Sequence, residues 1–260
     1  MPIMDCHVHA GDKYGPVENV IAKMDANGVT HAVIVQHMGQ TNNTYLRQCI
    51  DKYPQRFWGI CMVDLTLSNA PKILRSELKE NGLHGVRLPA MSLSRRPDLW
   101  EMAVECKAVI SVLGLQPHDL GQVERLRTFL EKYPTARLKI EHLGYPEPSE
   151  PPPYATYQRV MDLSQFKGVF LQFSSPYTQS KKAYPYEDLL PFIEMAKQHF
   201  APNRIVWGSC YPPVEKYMTY AESLAWFGTL GLKDTHRDNA LWQNAVRLMD
   251  PRKKKVGAET

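Results

Sequence analysis

The sequence predicts one α/β domain, a (β/α)8 barrel of the TIM type closed by a C-terminal helix. Three observations predict it. Short apolar, β-branched runs alternate with amphipathic segments, these runs number eight, and 260 residues is about the length of one such barrel. Strands separated by single helices imply parallel pairing through right-handed crossovers, and eight such units close a barrel. An open doubly wound sheet is the alternative, but no Gly-rich phosphate loop follows an early strand.

The first strand, 3–9, carries Asp5, His7 and His9 at alternate positions. A helix at 17–27 ends at Gly28, which can adopt the left-handed cap conformation. The second strand, 32–37, ends on His37, and its helix at 43–53 stops before Pro54. Strand 57–63 leads to a helix at 70–81 capped by Gly82. The short fourth strand, 85–88, holds Arg87 between Val86 and Leu88 and precedes a helix at 97–107. The fifth, 108–115, runs toward Pro117 and His118, and its helix at 121–133 stops before Pro134. The sixth, 137–142, closes on His142, and a Pro-rich stretch at 147–153 reads as an exposed loop. Helix 154–163, strand 169–173, helix 186–200 and strand 204–207 follow. Segments 214–230 and 237–249 complete the chain, the latter as the closing helix. We therefore expect one domain over residues 1–250 and a basic, disordered tail at 251–260.

The hydrophobic fraction of 43% is enough for a substantial core. Lys plus Arg exceed Asp plus Glu by only 31 to 27, and part of that excess sits in Arg252, Lys253, Lys254 and Lys255. So small a surplus argues against a nucleic-acid partner. No window approaches ~18 uninterrupted apolar residues, so no membrane span is expected. The N-terminus has no basic segment followed by an apolar one, so no signal peptide is expected either. Five cysteines, at 6, 49, 61, 106 and 210, form no CxxC pair. An odd count in a chain of this size points to reduced thiols and a cytoplasmic protein. A small molecule is the expected partner, and self-association into a homo-oligomer is left open.

Strand alternation would place Asp5, His7 and His9 together on the inward face, near the barrel mouth. Two imidazoles two residues apart can converge on one metal ion, with Asp5 fixing a ring tautomer from behind. A lone histidine is more often a satisfied core residue, but three polar groups in alternation favour a site. His118 and His142 lie at other strand ends, where residues of different strands meet. The register at His118 is blurred by Pro117, and His37 is either a site wall or an ordinary polar cap. Arg87 would point inward, where a guanidinium needs an acid, either Asp5 or a substrate carboxylate. The substrate is slightly favoured. Trp207, Tyr211 and Tyr177 could wall a pocket for a flat ligand, or could simply pack the barrel.

Several stretches resemble a known family. They are Asp5-Cys6-His7-Val8-His9, Glu141-His142-Leu143-Gly144, and Arg204-Ile205-Val206-Trp207-Gly208-Ser209-Cys210-Tyr211-Pro212, followed by Asn239-Ala240-Leu241 and Ala245-Val246-Arg247-Leu248. In order and spacing they resemble the amidohydrolase-2 (amidohydrolase-related) family, over essentially the whole chain. The short loops, Gly85-Val86-Arg87 and Gly168-Val169-Phe170-Leu171-Gln172-Phe173-Ser174 are most similar to its compact lactonase-like branch. Another branch holds nonoxidative decarboxylases. The resemblance implies His7 and His9 as metal ligands, His118 as a third, and His142 as the group that orients water or polarises a carbonyl. Zn²⁺ or another divalent ion is the implied cofactor, although metal-free members exist.

One position departs from the family pattern. Where the family reads Trp-Gly-Ser-Asp-Tyr-Pro, this chain has Cys210. Cys210 could be a metal ligand, a nucleophile or proton-transfer group, a neighbour of a metal-free site, or an inert packing residue. The leading expectation is a hydrolase of a small carboxylate-bearing substrate, a lactone ester foremost, with His142 and Cys210 as catalytic groups and Arg87 gripping the carboxylate. The alternatives are a nonoxidative decarboxylase or isomerase, and a non-catalytic binding barrel.

Overall fold

A computed structural model describes residues 1–249; the basic tail at 251–260 lies outside the described residues. Eight parallel strands form one sheet in sequence order: β1 Met4–Val8, β2 His31–Val35, β3 Phe57–Cys61, β4 Gly85–Pro89, β5 Val109–Leu113, β6 Arg137–Ile140, β7 Val169–Phe173 and β8 Ile205–Trp207. The sheet curls round on itself. Cys210 N–H donates to His7 O at 2.8 Å, His9 N–H donates to Tyr211 O at 2.8 Å, and Val8 bridges Tyr211 in parallel. The (β/α)8 barrel is therefore present.

The helices are α1 Val17–Ala26, α2 Thr44–Lys52, α3 Ala70–Lys79, α4 Ser92–Arg95, α5 Pro97–Glu105, α6 Leu120–Lys132, α7 Ala155–Asp162, α8 Leu190–Phe200, α9 Tyr220–Gly228, α10 Asp234–Asp238 and α11 Asn244–Met249. Pro16, just before α1, and Pro97, opening α5, sit where a missing N–H costs nothing. Thr219 and Glu222 form a reciprocal capping box at α9. The expected closing segment is broken in three, with a π-helical turn at Asn239–Gln243 between α10 and α11.

Two apolar layers follow from strand alternation. The outer layer, with Val8, Ile34, Leu88, Ile140, Phe173 and Trp207, packs against the helices. The inner one, with Met4, Val33, Ile60, Val109, Phe170 and Val206, fills the floor of the barrel. Ala245, Val246, Leu248 and Met249 of α11 plug that floor from below. Burial of this kind stabilises at roughly 25 cal/mol per Å². The upper interior holds polar groups instead: His7, Arg87, Ser111, Lys139, Glu141 and Gln172, all buried. Their position places the site at the C-terminal mouth.

Candidate active site

The first strand does not alternate as its sequence suggests. Asp5 pairs with Ala32, but Val8 pairs with Ile34, so three steps on β1 span two on β2. This irregularity re-aims the side chains. Asp5 leaves the inward face: its carboxylate accepts from His7 N–H (3.0 Å), Ser209 N–H (2.9 Å) and the Tyr220 hydroxyl (2.9 Å). It holds backbone in place and touches neither imidazole nor Arg87, contrary to expectation. Burial raises its pKa to about 6 against these hydrogen bonds.

His7 and His9 do converge. Their Nε2 atoms are 3.2 Å apart, His9 Nδ1 lies 2.6 Å from Val35 O, and His7 Nδ1 faces Gln172 Oε1 at 3.5 Å. With His9 Nδ1–H donating to the carbonyl, its Nε2 lone pair turns toward His7. Burial first, then Lys139, holds His7 well below its usual pKa, and burial and Arg87 bring His9 to about 3. Two neutral rings face each other. Gly208 makes room for them, because a Cβ there would stand 2.9 Å from His7 Cβ and 3.2 Å from His7 N. Tyr14 covers His9, its ring stacked at 5.1 Å.

Cys210 completes the cluster, with Sγ 3.9 Å from His9 Nε2. The donor atoms of His7, His9 and Cys210 all lie within 4.8 Å of one another. Two histidine nitrogens on a tetrahedral zinc stand about 3.3 Å apart, given Zn–N bonds near 2.0–2.1 Å. The observed 3.2 Å fits that spacing. An N₂S set suits a borderline-soft divalent ion, and three protein donors leave a fourth position for water or substrate. Burial, foremost, raises the Cys210 pKa; coordination to a cation is what would favour its thiolate.

His118 does not join this cluster. β5 ends at Leu113, Gly114 turns the chain with φ +63°, and Leu115 and Pro117 anchor inward, which leaves His118 exposed beyond the cavity. The third donor atom beside the two imidazoles is therefore Cys210 Sγ, not the expected His118. Trp207 and Tyr211 also leave the site. Inward positions on β8 fall to Val206 and Gly208, so Trp207 is fully buried in the outer layer; it and the largely buried Tyr211 both stand edge-on to Tyr220.

Arg87 is already partnered. Its Nε and Nη2 donate to Glu141 at 2.9 and 2.7 Å in a buried two-point ion pair. Ser111 Oγ donates to the same carboxylate at 2.6 Å. Burial would raise the Glu141 pKa, but Arg87 chiefly, with His142 and Lys139, brings it to about 2. The acid expected from Asp5 or a substrate comes from the end of β6. Lys139, also fully buried, donates to Cys6 O at 2.8 Å across the barrel, beside the β1 irregularity. Alternation on β6 could have revealed both: Leu138 and Ile140 face outward, which sends Lys139 and Glu141 inward.

His142 stands next to this ion pair. Its Nδ1 lies 2.8 Å from Ser174 Oγ, and Nε2 lies 3.6 Å from Glu141 Oε2. Gln172 Nε2 donates to the same Ser174 oxygen. Burial, opposed by Glu141 and helped by Arg87, lowers the ring to about 4. His142, Ser175 and Cys210 have φ of 49°, 49° and 60°, left-handed conformations that cost non-glycine residues roughly 1–3 kcal/mol each. They end three successive strands and line one cavity of about 320 Å³ with His9, Arg87 and Tyr177. Lys13, Tyr14, His37, Lys216 and Tyr217 form its rim, and Tyr217 stacks on Tyr177 at 4.2 Å. Sequence reasoning missed Lys13, Tyr14, Ser175 and Lys216, which lie on loops with no periodic pattern.

A family model described as Amidohydrolase matches residues 5–250. The chain belongs to the amidohydrolase family. It is 24% identical over 230 residues to the L-fucono-1,5-lactonase of Burkholderia ambifaria, covering 82% of this chain and 76% of that one. Among solved structures it resembles a probable 2-pyrone-4,6-dicarboxylic acid hydrolase from Acinetobacter baumannii that has citric acid bound. The TM-score is 0.79, with 23% identity over 96% of this chain and 99% of that one. It also resembles 2,6-dihydroxybenzoate decarboxylase from Rhizobium, with TM-score 0.71 and 14% identity over 95% and 98% of the two chains. At these identities the solved structures support the barrel fold. Among the described residues, no helix is long and apolar enough to cross a membrane.

Proposed function

We propose that this chain is a hydrolase of a small, carboxylate-bearing lactone. The observation that carries the reading is the convergence of His9, Cys210 and His142 on one cavity whose described lining residues include Lys13, Arg87 and Lys216 but no acid. The names of its lactonase and pyrone-dicarboxylate hydrolase relatives support the same reaction class.

His7, His9 and Cys210 would hold a divalent metal, which, when bound, supplies a Lewis acid for the lactone carbonyl and for water. The chain's own residues do the proton work. With Nδ1–H donated to Ser174, His142 presents a neutral Nε2 lone pair, as its depressed pKa requires near pH 7. A proton accepted there meets the ionised Glu141 at 3.6 Å, and Arg87 and Ser111 keep that carboxylate from moving or protonating. The lysine rim draws the anionic substrate in.

The test is turnover of sugar-acid lactones and pyrone carboxylates in H₂¹⁸O. Hydrolysis adds one labelled oxygen to the product, and His142→Ala should lose about 10²–10⁴-fold in kcat with unchanged circular dichroism. Native-like turnover by His142→Ala would remove it from this role. Release of CO₂ without label would assign the barrel to nonoxidative decarboxylation.

A further inference from the structure

With Arg87 engaged by Glu141, another group must receive the carboxylate of the substrate proposed above. Ser175 stands out. The residue is 1% exposed, and its Oγ is buried without a hydrogen-bond partner. The Tyr177 hydroxyl and the Cys210 thiol are its neighbours, yet neither makes a well-aligned hydrogen bond with it. A buried hydroxyl left unpaired is unfavourable, and an alanine would pack as well. The backbone is fixed in its left-handed conformation from the other side, because Ser175 O accepts from Thr178 N–H at 3.0 Å and Thr178 Oγ1 at 2.8 Å. The side chain is thereby held on the wall of the cavity that also holds His142 and Cys210.

We propose that Ser175 is a substrate-binding residue whose hydroxyl, with that of Tyr177 beside it, donates to a carboxylate oxygen of the bound substrate. The cavity suits an anion there: Lys13 and Lys216 stand at its mouth and no described lining residue is acidic, while the charge of Arg87 is offset by Glu141. The assignment of the ligand as substrate rests on the hydrolase reading; the carboxylate site itself does not.

The test compares Ser175→Ala with Ser175→Gly by titration calorimetry, using succinate, glutarate and benzoate as probes. Both variants delete the hydroxyl, but glycine relaxes the φ of 49° and alanine keeps it. The native protein should bind at least one probe, and both variants should bind it about 10- to 100-fold more weakly, as loss of a charge-assisted hydrogen bond demands. On a lactone substrate the loss should appear more in KM than in kcat. Binding of no probe by the native protein, affinities within twofold of native in both variants, or a loss confined to Ser175→Ala would each overturn the proposal. Probe binding needs no turnover, so absence of lactone hydrolysis would sink the hydrolase reading and leave this one standing.

Discussion

Removing the guanidinium from Arg87→Met should expose how the barrel carries its buried charge. Glu141 is fully buried and accepts at 2.9 and 2.7 Å from Arg87. Losing one partner of such a pair costs roughly 3–5 kcal/mol, which in a chain of this size lowers Tm by about 6–20 °C. The double variant Arg87→Met/Glu141→Gln should recover much of that loss, because no uncompensated charge remains. Acidity gives a second arm. Glu141 sits at about 2 in the folded chain against 4.5 ordinarily, a difference worth about 3 kcal/mol. Since the folded pKa is depressed, that stabilisation is fully present above about 4.5 and disappears as pH falls toward 2. In Arg87→Met the main opposing charge is gone and burial holds the Glu141 pKa higher. The deficit against native should therefore be largest near pH 7 and shrink as pH falls through that window. Urea unfolding at pH 7, 5, 4 and 3, followed by circular dichroism and tryptophan fluorescence, measures both arms. A deficit below about 1 kcal/mol at pH 7, or one that does not change with pH, would show that Arg87 does not hold the Glu141 charge.

The proposed metal site has a direct consequence for composition. Native protein purified without chelator should contain about one divalent ion per chain by elemental analysis, and His7→Ala and His9→Ala should each contain almost none. Equal metal content in all three would sink the assignment. Gly208→Ala should cost about 1–3 kcal/mol and strip the site of metal, because the new methyl would stand 2.5 Å from Gln172 Nε2 and 3.2 Å from the His7 backbone N. A native-like, metal-loaded variant would show that the backbone yields there. Cys210→Asp should fold within about 1 kcal/mol of native, since aspartate tolerates the φ of 60° better than cysteine does. It should keep the metal through a harder ligand and raise kcat by restoring a proton acceptor beside His9. A fall in both metal content and kcat would show that the thiolate is specifically required.

The barrel was legible in the sequence because period and count are local properties. Every expected strand overlaps an observed one, and β7 coincides with the expected 169–173. What failed was alternation across the mouth, and each failure has a physical cause. A single irregularity in β1 turned Asp5 outward to Ser209 and Tyr220, so a pattern of period two misassigned one polar residue while leaving His7 and His9 correct. Gly114 ended β5 early and carried His118 away. The sequence around Arg87 shows that it needs an acid but not which one, because its partner lies 54 residues ahead and only the closed barrel brings them together. His142, Ser175 and Cys210 show why the rest was hidden. Each follows a strand whose hydrophobic pattern has just stopped, and each sits in a left-handed conformation that its residue type does not announce. The fold over-determines the strands, and the surplus holds these three residues in conformations that local preference would reject. A site built that way is positioned by the whole barrel, so its geometry becomes visible only once β6, β7 and β8 lie side by side.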